Sequence, residues 1–188
     1  IPAPVFATIG DSTFFHAGLP GLANMLQHNV NMTLVILDNG WTGMTGMQIN
    51  PGTEQQYQKH EWVQLDIVET VRGMGAKNLW VVDAYDVPAV AKATEEALKT
   101  EGPKVIISRR ECATQAGRHR GKYNDVTVVE DKCIGCKKCI VKSGCAALLY
   151  DAAAKKVSID AKLCNGCTVC TNVCPTDAID IKDLGGDK

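Results

Sequence analysis

Aromatic side chains are scarce in this sequence: three tryptophans, four tyrosines and three phenylalanines make up 5% of 188 residues. With 45% hydrophobic residues, the chain can bury one ordinary core and a small second one, so one or two domains follow. An excess of charge is also missing. Twenty bases against 21 acids leave a formal net charge of -1, which indicates neither a nucleic-acid-binding field nor a disordered acidic tail. No apolar run approaches the roughly 18 residues of a membrane span, and no charged-then-apolar signal segment opens the sequence. Neither nucleic acid nor a membrane is therefore an expected partner. The first residue is Ile1, and "PVFATIGD" already reads as a core strand running into a loop, so the chain is expected to begin inside a larger one.

What the sequence does have is cysteine. Eight of its nine cysteines fall in the last third, in C-x2-C runs, and the total is odd. That is the pattern of metal ligands in a reducing compartment, not of a secreted disulfide scaffold, and a cytoplasmic location is expected. From Val126 onward an internal repeat appears: Cys133, Cys136 and Cys139 return 31 residues later as Cys164, Cys167 and Cys170. Each copy follows an apolar, β-like run, "VTVVE" or "KVSID". A cubane iron cluster needs four thiolates from several directions, and in two-cluster ferredoxins the fourth cysteine of each run serves the other cluster. The expected sets are Cys133, Cys136, Cys139 and Cys174 for one [4Fe-4S] cluster, and Cys164, Cys167, Cys170 and Cys145 for a second. Gly135, Gly144 and Gly166 are expected to let backbone N–H groups approach the sulfurs. The first run departs from the standard form, because five residues instead of three separate Cys139 from Cys145, and Ala146 stands where Pro175 follows the second run. Zinc is the alternative metal, although it usually takes paired C-x2-C knuckles. Cys112 lies outside the repeat and reads as a buried or idle thiol.

Residues 1–108 alternate short apolar runs with helical patterns. "PVFATI" is followed by Leu19, Leu22, Ala23 and Leu26 at helical spacing and then by "MTLVIL"; "DIVETVRGMG" leads into "NLWVVDA"; Val87, Val90, Ala91, Thr94 and Leu98 lead into "KVIIS". This βαβ rhythm predicts an α/β domain with a parallel sheet whose apolar strands want cover on both faces. Gly40, Gly43, Gly46 and Gly52 mark a long loop after the second strand, a place where binding loops occur. Residues 109–125 collect Arg109, Arg110, Arg118, Arg120 and Lys122 without apolar periodicity. They read as a linker, either a solvated connector or a docking strip for an acidic carrier or a phosphate. Residues 126–188 would then form a small α+β ferredoxin-like domain. Their nine lysines against eight acids suit a tethered domain better than a strongly acidic free carrier.

"IGDS" follows the first strand and "ILDN" the second, so both lie at the carboxyl ends of neighbouring parallel strands, where such sheets bind ligands. A hard cation such as Mg2+ takes one or two oxygens from protein and the rest from phosphate and water, which suits the Asp11 carboxylate and the Asn39 amide oxygen. Gly10 keeps the backbone clear of a bulky anion, while Ser12 and Thr13 offer N–H donors to it. A diphosphate bridged by Mg2+ is the expected ligand.

Gly-Asp-Ser followed after just under thirty residues by Asn resembles the thiamine diphosphate and Mg2+ motif. "GDSTFFHAGLPGL" with "ILDNGWTGMTGMQINPGT" is similar to the alpha subunits of the indolepyruvate ferredoxin oxidoreductases, a resemblance that extends over the whole chain, ferredoxin-like tail included. The resemblance implies oxidative decarboxylation of an aryl-pyruvate, with coenzyme A as acyl acceptor and ferredoxin as electron acceptor. It implies Asp11 and Asn39 as side-chain ligands of Mg2+ and Trp41 as a backbone-carbonyl ligand, with Thr42, Thr45, Gly46 and Gln48 lining the loop over the cofactor. His16 would approach the cofactor, while His28, His60 and His119 have no motif around them. Met47 stands where the family usually carries histidine.

Such enzymes build each site between a diphosphate domain and a pyrimidine-binding domain, which has no counterpart in this sequence. The implied partners are therefore that region of the same subunit, a beta subunit, an external ferredoxin, a 2-oxo acid and coenzyme A, and the chain alone is expected not to turn over. Two rival readings remain: an electron-transfer protein that binds no thiamine, and an enzyme of the same chemistry acting on pyruvate, 2-oxoglutarate or a branched 2-oxo acid.

Overall fold

The computed structural model describes residues 3–57, 60–119, 121 and 124–183, which fall into two compact units, Ile1–Cys112 and Ala113–Lys188. In the first unit four strands, β1 (Phe6–Gly10), β2 (Thr33–Asp38), β3 (Asn78–Asp83) and β4 (Lys104–Arg109), form a wholly parallel sheet in the order β1-β2-β4-β3. The last strand in sequence is thus inserted beside β2. Lys104 through Ile107 of β4 are buried, as an inner strand covered on both faces requires. The outer strands are not fully covered: Phe6 and Val81 are exposed.

The helical patterns fold as expected, with one exception. A short helix α1 (Asp11–Thr13) runs into a π-turn, Phe14–Gly18, and then into α2 (Leu19–Gln27). The widened turn buries Phe14 completely and leaves His16 exposed. Such turns recur at functional sites. Helices α3 (Ile67–Gly73) and α4 (Val87–Lys99) begin at Asp66 and Asp86, whose carboxylates accept the Glu69 and Ala89 N–H groups, each at 2.9 Å. The core gathers Phe14, Leu22, Met25, Ile36, Ile67, Val68, Val71, Val105 and Ile107. Each such side chain contributes about 1.5–3 kcal/mol when fully buried.

The second unit opens with α5 (Ala113–His119), so the segment 109–125 is more ordered than a linker: Arg109 ends β4, α5 occupies the middle, and β5 (Asn124–Val128) begins at its end. Arg109 pairs with Asp38 at 2.6 Å and Asp66 at 3.5 Å, and Arg110 with Asp83 at 3.0 Å, so these two guanidinium groups bind the sheet's own carboxylates. Arg120 and Lys122 lie outside the described residues. Beyond β5 come α6 (Lys138–Ser143), the hairpin β6 (Leu148–Asp151) and β7 (Lys156–Ile159), and β8 (Ile179–Asp183), which pairs antiparallel with β5.

The 31-residue repeat is visible in three dimensions. Val126 and Val157 are both in the small core, as are Leu148 and Ile179. Lys137 and Thr168 share a left-handed backbone with φ of 59° and 61°. A Cβ on Gly135 would strike the Lys155 carbonyl oxygen, and one on Gly166 the Asn124 carbonyl oxygen, so both close approaches exclude any side chain.

Candidate functional site

Gly10, the last residue of β1, stands beside Leu37 of β2, which places Asp11 and Asn39 at one end of the sheet. Asp11 is only 3% exposed. Its carboxylate accepts the Ser12 N–H at 2.8 Å and the Asn50 side-chain amide at 3.1 Å. Burial pushes its pKa up and the Asp38 carboxylate adds to this, while the Ser12, Asn50 and Gly40 donors pull the other way. A buried carboxylate left above its ordinary range is one that a cation would stabilise.

Around it the loop is tied down by its own side chains. Asn39 Oδ1 accepts the Trp41 N–H at 2.9 Å, and an amide oxygen keeps a second lone pair for another partner. The Thr42 hydroxyl donates to Ser12 Oγ at 2.8 Å, joining the two strand ends. Thr42 and Gln48 exchange backbone hydrogen bonds of 2.9 and 3.3 Å, and the Gln48 side chain binds the Thr45 carbonyl at 2.7 Å. Gly46 sits at the tip with φ of 110°. His16 Nδ1 lies 2.6 Å from the Ser12 carbonyl oxygen, so that nitrogen carries a proton directed at it.

The structure therefore brings Asp11, Ser12, Asn39, Trp41 and Thr42 together, with Thr45, Gly46 and Gln48 on the attached turn and His16 one helical turn away. Two supports escaped the sequence reading. Asn50 and Thr53 are buried; the Thr53 hydroxyl accepts the Asn50 N–H at 2.9 Å and donates to the Gly40 carbonyl at 2.5 Å. Their signal in the sequence is the polar, turn-forming string "NPGT". A cleft beside Asn39, Gly40 and Trp41 is lined by Tyr57, Gln64, Asp66 and Arg109 as well, and was not anticipated. Trp41 packs on Tyr57 at 5.4 Å between ring centroids. Met47 Sδ lies 3.7 Å from Cys112 Sγ, which gives the ninth cysteine a place against the loop.

In the second unit, Cys133, Cys136, Cys139 and Cys174 line one cavity, and Cys145, Cys164, Cys167 and Cys170 line another. Apart from the sulfurs, the walls are largely apolar: Val128, Val157 and Ile179 in the first, Val126, Leu148 and Ile159 in the second. Among the described residues no group of three or more His, Cys, Asp or Glu side chains is arranged to hold a single metal ion. The longer first run has a structural reason. Helix α6 runs one residue further than the 3-10 segment Val169–Val173 of the second run, and Gly144, at φ of 60°, adds the second extra residue before Cys145.

Burial raises the Cys139 and Cys167 thiols and pushes Cys170 up to about 11, with neighbouring cysteines adding to the effect. At Cys174 burial acts the same way, but the Thr176 and Ala178 N–H groups outweigh it and lower the thiol. Crowded thiols that resist ionisation in isolation suit a polynuclear cation that binds them as thiolates.

Residues 2–108 match the family described as thiamine pyrophosphate enzyme, C-terminal TPP binding domain, and residues 157–180 match the 4Fe-4S binding domain. The chain belongs to the thiamine pyrophosphate enzymes. Within that family it is 44% identical to the indolepyruvate oxidoreductase subunit IorA of Thermococcus kodakarensis over 94% of its own length and 28% of that protein. It spans a similar share, 28%, of the Archaeoglobus fulgidus subunit, at 42% identity. A solved 2-oxoglutarate:ferredoxin oxidoreductase from Magnetococcus marinus is 26% identical over 56% of this chain and 38% of its own, with a TM-score of 0.50. Among the described residues no helix is long and apolar enough to cross a membrane.

Proposed function

We propose that this chain is the diphosphate-binding and electron-carrying portion of a 2-oxo acid:ferredoxin oxidoreductase acting on indolepyruvate and other aryl-pyruvates, with coenzyme A as acyl acceptor. The observation that carries the reading is a conjunction: one chain holds a buried carboxylate at the carboxyl end of a parallel sheet and two cavities lined by four cysteines each. Bound thiamine diphosphate supplies decarboxylation of the 2-oxo acid, and iron–sulfur clusters supply acceptance of the two resulting electrons one at a time.

The chain's own residues set the stage for both. Asp11 and Asn39 would hold Mg2+ through side-chain oxygens and Trp41 through its carbonyl, while Asn50 and Ser12 keep the Asp11 carboxylate aimed by binding both its oxygens. Gly10 leaves room for the diphosphate, while the Ser12 N–H is given to Asp11 Oδ1 and not to the anion. Thr42, Thr45, Gly46 and Gln48 form a pinned turn that would lie over the cofactor and limit water. His16 is oriented by the Ser12 carbonyl, which its Nδ1 faces. Met47 offers a thioether where the family usually carries histidine, so no proton transfer is assigned there. The two cysteine sets would bind two [4Fe-4S] clusters, with Cys174 and Cys145 crossing between runs.

Proposed partners are a pyrimidine-binding region, a beta subunit and an external ferredoxin, acting in the reducing cytoplasm. The test is calorimetric titration with Mg2+ and thiamine diphosphate, beside iron and acid-labile sulfide analysis. The reading expects binding that disappears in Asp11→Ala and about eight of each atom per chain. Clusters without thiamine binding in the complete enzyme would instead assign an electron carrier.

A further inference from the structure

The two cysteine cavities share a fold but not a charge. Between Cys133 and Cys145 lie Lys137, Lys138 and Lys142 and no acid, whereas nothing between Cys164 and Cys174 is charged. The 31-residue offset makes the contrast residue by residue: Lys137 answers Thr168 and Lys142 answers Val173. Lys156 donates to the carbonyls of Glu130 and Cys133, each at 2.6 Å, which fixes an ammonium on the Cys133 loop; its repeat counterpart is Asp125. Lys137 lines the first cavity, with its ammonium 3.9 Å from the centre of the Tyr150 ring. On the same loop the sulfur-bearing Cys136 is exposed, and Ile134 and Val141 are 66% and 76% exposed among the lysines.

Resting on the two-cluster reading above, we propose that the cavity of Cys133, Cys136, Cys139 and Cys174 is the electron exit, the site of higher potential, and that its apolar, lysine-rimmed face docks a small acidic one-electron carrier protein. A thiolate-bound cluster gains a unit of negative charge on reduction, and fixed cations beside it favour that state. One electron at a time leaves the Cys164-side cluster, reduces the Cys133-side cluster, and passes on to the carrier's oxidised centre. No bond forms or breaks and no proton moves. A cationic rim around an exposed apolar centre suits an acidic partner, whose encounter it steers.

The experiment is a spectroscopically monitored redox titration of the complete enzyme, with transfer rates to a strongly acidic ferredoxin and to methyl viologen at varied salt. Two steps are expected. Lys156→Gln, and separately Lys137→Gln with Lys138→Gln and Lys142→Gln, should move only the higher step to lower potential. The triple variant should slow reduction of the ferredoxin about tenfold or more at low salt and flatten its salt dependence, with methyl viologen reduction retained; Lys92→Gln with Lys99→Gln should change nothing. A full complement of iron and sulfide with coincident steps, or a shift confined to the lower step, would overturn this inference alone. So would an unchanged ferredoxin rate, or a self-association of the enzyme that the triple variant abolishes. Iron near half the expected content would overturn the two-cluster reading itself.

Discussion

The Asp11 region and the cysteine cavities are built on opposite plans. The carboxylate cradle draws on three separated stretches, the β1 end, the loop after β2 and the Asn50–Thr53 turn, and each is tied to another by a side-chain hydrogen bond. The cavities come from one 31-residue unit used twice, with the fourth cysteine exchanged between copies. A site made of distant pieces depends on the fold around it, whereas a site made of repeated local loops depends on its ligands. Among the described residues, the main apolar cluster of the first unit has nine buried side chains and that of the second five, one of them a cysteine.

The sharpest way to break this contrast is to remove the metal. Stripping iron with a chelator should abolish the second unit's cooperative thermal transition and leave that of the first in place, as calorimetry would show. Loss of both transitions would mean that the units are not stabilised in these different ways. Asp11→Ala comes next: affinity for Mg2+ and thiamine diphosphate should fall at least about 100-fold, with cluster absorption unchanged.

Gly166→Ala forces a methyl group into the Asn124 carbonyl at a left-handed position. It should cost the second unit about 2–4 kcal/mol in denaturant unfolding of the loaded protein and spare the first. Asn50→Ala removes the amide from Asp11 Oδ2 and should weaken Mg2+-dependent binding about 10-fold. The smallest effect is at the α3 cap, where Asp66→Ala should cost the first unit about 1 kcal/mol. The Asp66 carboxyl is pushed up by partial burial, but the Glu69 N–H and Arg109 pull it lower overall. Its contribution is therefore present above its ordinary pKa and lost as pH falls through the lowered one.

The same contrast explains what could be read in advance. The grouping of the cysteines around two cavities was legible because their spacing is a local property and the repeat displays it twice. The strands and main helices were legible from their apolar periods, and Asp11 and Asn39 from their place at strand ends. The support that Asn50 gives Asp11 was not, since 39 positions separate them and the turn's own chemistry already accounted for an Asn-Pro-Gly string. Nor was the π-turn at Phe14–Gly18, where a hidden change of pitch leaves the apolar pattern intact. Arg109 and Arg110 read as part of a solvated connector or a docking strip because their carboxylate partners, Asp38 and Asp83, come from other strands.

On the proposed function, a 2-oxo acid reacting at the Asp11 cradle reduces the clusters of the cysteine cavities. Freeze-quenched electron paramagnetic resonance of the complete enzyme after mixing with indolepyruvate tests it most directly. The account predicts reduced-cluster signals in the natural enzyme and none in Asp11→Ala, although dithionite still reduces the variant's clusters. Equal substrate-driven signals in both would contradict it.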